Sequence, residues 1–337
     1  MADNIKYNYG LMILKLWMSL EVVLVHTWGY MGIANPVIES FFYSFMAIAV
    51  PVFVFISFFL TSDSIYNGNK SYLVKRMKRL LVPYVLWFLI YLVFYIIMTV
   101  LNNWDILSIR SCVLQFFTGN VLTYNSPMWY ILDVAIIYIL LGIVGLCAKK
   151  HKDTVYCVLF LLGMIFFYSG VNYSVFSKTI FEVKYSYGRI FELLPVAVAG
   201  LFIGKYRLLD RLKSHWLITS ISCFLIVYIW KRTGFVSIKQ NFGYGGFCLC
   251  CISILLVTGF YVLPLDRLPD VLLKILRRIT SYSMGIFSIH IMISNLINEY
   301  LFPAGDLYFS LIVFICSLII CIILGAIPKI NMKYLIE

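Results

Sequence analysis

Charge is scarce in this sequence. Asp, Glu, Lys and Arg make up only 12% of its 337 residues, against 62% hydrophobic residues and a mean hydropathy of +0.94. A soluble domain of this length needs far more polar surface, so composition leaves a polytopic membrane protein. Acid is scarcer than base, 15 residues against 27, for a formal net charge of +12. An excess of that size can signal nucleic acid, but its placement, below, assigns it to the membrane surface. A disulfide framework is missing. The nine cysteines are odd in number, six of them (Cys223, Cys248, Cys250, Cys251, Cys316 and Cys321) lie in apolar runs, and Cys248-Leu249-Cys250-Cys251 is not a zinc spacing. There is no Walker loop, G-x-S-x-G elbow, His-Glu-x-x-His motif or dinucleotide fingerprint. Nothing therefore calls for ATP, NAD or a metal. Internal repeats, low-complexity tracts and a detachable soluble domain are also lacking. No small-residue cleavage site follows the first apolar run, so that run is expected to stay as a transmembrane helix.

What is present is a series of apolar runs near the 20 residues that cross a hydrocarbon core. They fall at 11–33, 41–61, 80–101, 129–148, 154–171, 189–204, 215–231, 242–263, 281–301 and 307–327. The expected fold is an all-α polytopic bundle of about ten transmembrane helices, a single integral-membrane domain over residues 1–337. The sixth run is short and holds Arg189 and Glu192. With the N-terminus inside, twenty Lys and Arg fall in the inner segments and seven in the outer ones. That asymmetry predicts cytoplasmic N- and C-termini in a multi-pass protein of the cell membrane. Basic loops beside anionic lipid also explain the net charge without a nucleic-acid partner. Trp28, Trp104, Trp129 and Trp230 fall near run ends and read as interfacial anchors.

A few ionisable residues interrupt these runs, and such residues usually face a bundle interior and serve function. Lys15 and His26 are eleven residues apart, which returns to within roughly 20° of one helix face. Ser19 and Val22 fill the stripe between them, and Glu21 points elsewhere. His26 lies roughly 22 Å from the inner surface at 1.5 Å per residue. There an imidazole is suited to take a proton from a hydroxyl near neutral pH, although a lone buried histidine is often a satisfied core residue. Arg76 and Arg79, three apart in Lys75–Tyr84, read as the start of a helix, where backbone N–H groups favour anions. Guanidinium forks grip phosphates there; the plainer reading is a topology determinant. Arg189 and Glu192, again three apart, form either a self-neutralising pair or a polar wall for substrate hydroxyls. His290 is another polar residue in an apolar run, with Ser283 seven residues earlier on nearly the same face. Asp133, near the outer end of its run, is expected to reach water, and His151 and His215 lie in basic loops.

Taken in order, these residues resemble the acyltransferase-3 family of membrane-bound sugar O-acyltransferases. Lys15-x10-His26 occupies the place of that family's Arg-x10-His. Pro51–Leu60 is similar to its Phe-Phe-x-x-Ser-Gly segment, with Phe58 where the family often has Gly. Arg76-Met77-Lys78-Arg79 with Pro83 resembles its Arg-x-x-Arg and downstream proline. Met128-Trp129-Tyr130-Ile131-Leu132 is similar to its Leu-Trp-Phe-Leu, and Arg189–Glu192 through Gly204 to its Gly-rich segment. Ser283–His290 is similar to its late Ser-x-x-x-Tyr-Leu-x-His. Lysine at 15 keeps the charge of the family's arginine without its planar fork.

The resemblance implies transfer of an acyl group, most often acetyl, from cytoplasmic acetyl-CoA or another acyl-CoA. The acceptor is a hydroxyl of a cell-surface or lipid-linked glycan. It implies catalytic roles for His26, as general base or transient acyl carrier, and for Lys15. Arg76 and Arg79 would hold CoA phosphates, and Arg189, Glu192 and His290 would line the pocket. The competing expectation is a transporter or flippase for polysaccharide or lipid-linked sugar, which would often show two related halves.

Overall fold

A computed structural model describes residues 8–27, 45, 48–102, 108–119, 128–168, 188–232, 247–301 and 307–326. Ten of its helices coincide with the apolar runs: α1 (Tyr9–Thr27), α2 (Ala49–Tyr66), α3 (Lys70–Asn102), α5 (Trp129–Cys147), α6 (Lys152–Tyr168), α7 (Gly188–Lys205), α8 (Trp216–Arg232), α9 (Phe247–Tyr261), α11 (Ser283–Tyr300) and α12 (Leu307–Ala326). Two shorter ones, α4 (Ile109–Thr118) and α10 (Asp270–Ser281), lie between them, and the described residues contain no strand. In lipid every backbone group must find its partner within the protein, and a helix does so locally. Seven described helices are long and apolar enough to cross a membrane by length and composition. The helices α6, α7 and α11 are not among the seven; α6 has 17 residues, and α7 carries Arg189, Glu192 and Lys205. All nine cysteines are unpaired.

Two helices sit at the centre. The α1 helix packs on α2, α9, α10, α11 and α12, and α2 packs on α1, α3, α5, α7 and α9. The α2–α7 contact is the most extensive, and glycine makes it possible. A Cβ at Gly200 would lie 2.6 Å from the Phe55 carbonyl oxygen, and one at Gly204 would lie 2.4 Å from that of Phe59. Spaced four apart, the two glycines share a face and let backbone meet backbone, the small-xxx-small solution for helices in lipid.

Polar contacts join several helix ends. Asn8 Nδ2 donates to the Tyr261 carbonyl at 2.8 Å, and Arg277 donates to the Tyr9 hydroxyl. Lys205 pairs with Asp63 at 3.3 Å, and the Tyr66 and Tyr206 hydroxyls both donate to Asp153, at 3.0 and 2.8 Å. Tyr261 donates to Asp210 at 2.7 Å, as does Lys213. One end of the bundle thus gathers the start of α1, the α2–α3 and α5–α6 turns, the α7–α8 segment and the α9–α10 segment. Apart from the two chain ends, every basic segment assigned to one side of the membrane meets there. Lys6, Lys329, Lys333, Lys178, Lys184, Trp28 and Trp104 lie outside the described residues.

Three elements differ from the expected layout. The third helix begins at Lys70 rather than near residue 80, because its basic first turns continue the helix out of the apolar run. The α4 helix occupies what reads as a loop. The Ser108 side chain accepts from the Ser111 amide at 3.2 Å to open it, Gly119 closes it in the left-handed region at φ 73°, and Tyr84 of α3 donates to the Phe116 carbonyl. The α10 helix interleaves Lys274, Arg277 and Arg278 with exposed Val271, Leu272 and Ile275, the pattern of a helix lying in a membrane interface.

Gly204→Val is expected to force α2 and α7 apart and cost about 1–3 kcal/mol. Thermal unfolding in detergent measures this, and a Tm equal to wild type would contradict the close approach.

Candidate active site

The stripe on α1 has two ends, and each meets a different partner. At the end near the basic loops, half-buried Lys15 lies within electrostatic reach of Arg76 on α3. Two cations side by side in an apolar bundle repel, and anion binding relieves that cost. Arg76 Nη2 donates to Ser57 Oγ of α2 at 2.7 Å, and its guanidinium lies 5.0 Å from the centre of the Tyr138 ring of α5. Tyr138 closes the cluster. Its hydroxyl is 3.0 Å from both Ser57 Oγ and Thr61 Oγ1 and donates to the Ser57 carbonyl at 2.9 Å. Arg76 Nε is buried and has no hydrogen-bond partner among the described residues. Leaving a buried charged donor unpaired costs several kcal/mol in a folded protein, so this N–H is poised for a ligand.

Arg79 does not join this cluster; it is exposed. The early start of α3 also overturns the helix-terminus argument. Arg76 and Arg79 sit six and nine residues inside the helix, where backbone N–H groups are already taken by the ladder. Any anion here is held by side chains.

At the other end, about 16 Å further along α1 at 1.5 Å per residue, the His26 ring stands 5.4 Å from that of His290 on α11, centroid to centroid. Arg189 of α7 is close enough to act electrostatically on His26. The tautomer of His290 follows from its partner. Nδ1 lies 3.1 Å from the Ile286 carbonyl, which can only accept, so Nδ1 carries the proton. Nε2 of the neutral ring then holds a lone pair; it is buried and has no partner among the described residues. That atom can accept a proton from a hydroxyl. Beside His26, the Thr27 and Ser310 hydroxyls meet at 2.6 Å and tie α1 to α12. Glu21, on the opposite side of α1, is fully buried and accepts from Trp17 Nε1 at 2.8 Å.

Arg189 organises the third part. Its guanidinium lies 4.2 Å from the centre of the Trp129 ring, a cation–π contact, and Asp133 stands in its field and in that of Glu192. Asp133 is 5% exposed and Glu192 2%. Asp133 therefore does not reach water, and Trp129 is no interfacial anchor, since it is buried beneath the guanidinium. Neither stands among the site residues expected from sequence. Their one-turn spacing puts them on one face, but nothing in that spacing says that Arg189 faces them. Ser283 goes elsewhere, donating to the Thr280 carbonyl at 2.8 Å.

A chain of rings joins the two ends. The Tyr130 ring lies 5.4 Å from that of Phe287, and Phe287 lies 6.3 Å from His290. Tyr130 is also within electrostatic reach of Arg76. The α11 backbone beside His290 is bonded by Tyr91 of α3. The Tyr91 hydroxyl donates to the Ser288 carbonyl at 2.8 Å and accepts the Met292 amide at 3.3 Å. Those two groups are four residues apart, so one hydroxyl ties α3 to both ends of the helical turn that carries His290.

Tyr91→Phe is expected to remove both hydrogen bonds to α11, costing about 1 kcal/mol in thermal stability while moving the His290 ring. Imidazole 15N shifts of His290 report that displacement, and unchanged shifts would refute it.

A family model described as an acyltransferase domain, of the acyltransferase-3 type, matches residues 8–326 of the chain. No curated protein and no solved structure matches it.

Proposed function

The chain belongs to the acyltransferase-3 family and is an acyltransferase, and we propose that it moves an acyl group from cytoplasmic acyl-CoA to a glycan hydroxyl. The acyl group is acetyl, and the acceptor is a cell-surface or lipid-linked saccharide. The protein is one integral domain over residues 1–337 with ten spans and cytoplasmic termini, in the cell membrane. The gathering of the basic segments at one end of the bundle supports that orientation.

The observation that carries the site assignment is a pair of buried atoms without partners at the two ends of one helix face. Arg76 Nε is a donor next to Lys15, and His290 Nε2 is an acceptor next to His26. Between them lies a distance that the extended arm joining the phosphates of CoA to its sulfur has to cover. Arg79 draws the donor's phosphates to the cytoplasmic mouth, and Arg76 and Lys15 hold the end of the arm that enters. The thioester then lies near His26. Trp129, Arg189, Asp133 and Glu192 line the acceptor side, offering an aromatic face and carboxylates to saccharide hydroxyls.

In the transfer step the acceptor oxygen attacks the thioester carbonyl while His26 takes its proton, with His290 accepting a hydrogen bond beside it. The carbonyl electrons move to oxygen and return as the C–S bond breaks. The CoA thiolate leaves with the proton from the imidazolium, and an ester remains on the glycan. No ATP is consumed, because the thioester already supplies the driving energy.

The test is acetyl transfer from labelled acetyl-CoA in membranes. His26→Ala is expected to lower kcat by about 10²–10⁴-fold, and Arg76→Ala to raise KM for acetyl-CoA. Normal glycan labelling by well-expressed His26→Ala would remove the base assignment. Asp133→Asn is expected to raise KM for the acceptor at unchanged donor KM; a change in donor KM alone would place Asp133 on the wrong side of the reaction.

A further inference from the structure

The surface that α3 and α5 turn away from the bundle holds a cavity of about 590 Å³, within the size range of ligand sites. Its walls are apolar, built from Leu73, Met77 and Leu81 of α3 and from Tyr138, Ile139 and Ile143 of α5. The concavity exists because Gly142 has no side chain there; a Cβ at that position would lie 2.8 Å from a Leu73 methyl. The groove opens outwards, as Leu81, Ile139 and Ile143 are 37%, 48% and 52% exposed.

Two features select an occupant. The charged groups in the lining, Lys70 and Lys78, are both cations, neither has an ion-pair partner among the described residues, and α3 contains no acidic residue along its length. From Lys70 to Leu86 the α3 wall extends about 24 Å at 1.5 Å per residue. That runs from headgroup level through the roughly 15 Å that one leaflet contributes to the core. A ligand that satisfies both has an anionic head at the basic end and an extended hydrocarbon chain below it.

We propose that the α3–α5 groove binds one anionic phospholipid, its phosphate against Lys70 and Lys78 and one acyl chain along Leu73, Leu81 and Ile143. The chain rests on Tyr138, the residue whose hydroxyl bonds Ser57 and Thr61 and whose ring lies under Arg76. The lipid therefore braces the wall that holds Arg76 in the bundle. A neutral phospholipid fills the same slot without the charge interaction, so selectivity comes from the head. Juxtamembrane cations each attract anionic lipid, and two acting on one phosphate give a preference of roughly tenfold or more.

The full chain in mild detergent, given equal phosphatidylglycerol and phosphatidylcholine of the same acyl chains, tests this by native mass spectrometry. Wild type is expected to retain one phosphatidylglycerol in preference to phosphatidylcholine. The double variant Lys70→Gln/Lys78→Gln is expected to retain both lipids equally, and Ile143→Trp, which fills the groove, to retain neither with its helical content unchanged. Equal retention by wild type overturns the proposal, as does a preference that survives the lysine changes. Displacement of the phospholipid by a long-chain acyl-CoA, but not by acetyl-CoA, would assign the groove to the donor's chain instead and overturn it too. Should Ile143→Trp fail to fold, the lysine variant alone decides.

Discussion

Backbone contact between α2 and its neighbours is the constraint on which the rest of this protein depends. In lipid, helices gain little from burying apolar side chains against one another, and close packing takes over as the cohesive force. Gly200 and Gly204 bring α7 against α2, and Gly145 does the same from α5, where a Cβ would lie 2.0 Å from the Ile65 carbonyl oxygen. With α2 enclosed on these sides, Ser57 and Thr61 face Tyr138, and that small polar cluster gives Arg76 a reason to enter an otherwise apolar bundle. A guanidinium beside hydroxyls and an aromatic face is tolerated there; one beside leucine is not.

The same architecture separates two chemistries along one helix. The α1 helix carries a cation at one end of its polar stripe and an imidazole at the other, and each is met by a different set of helices. Lys15 faces α3, which also brings Arg76. His26 faces α11 and α7, which bring His290 and Arg189. A donor entering from the basic end and an acceptor approaching from the far end would meet on α1 without crossing paths. The third helix serves both ends, supplying Arg76 near its start and Tyr91 some fifteen residues further on. Its length of 33 residues, well beyond what a bilayer requires, comes from basic first turns that continue the helix out of the apolar run.

Much of this was legible in the chain before any tertiary structure. The apolar runs mark the helices because a helix is the form in which a lone segment satisfies its own backbone in lipid. The Lys15–His26 stripe follows from 3.6 residues per turn, and the asymmetry of Lys and Arg among the loops predicts which helix ends share a side. The order of the motifs pointed to acyltransferase-3, the family to which the chain belongs. The α4 helix is bracketed by Ser108 and Gly119, a start and a stop eleven residues apart, yet it reads as a loop when apolar length is the only ruler.

What only the tertiary structure decided was which faces meet. Periodicity says that Trp129 and Asp133 share a side of α5, but not that Arg189 of α7 covers them. It says that Arg76 and Arg79 are neighbours, but not that one turns inward to Ser57 while the other stays at the surface. It says nothing of Tyr91, whose hydroxyl bonds the backbone of a helix almost 200 residues away in the chain. A helix is written in local hydrogen bonds and local hydropathy. The pairing of helix faces depends on side-chain shape and on polar atoms that seek partners across the bundle, and no local pattern encodes those distances.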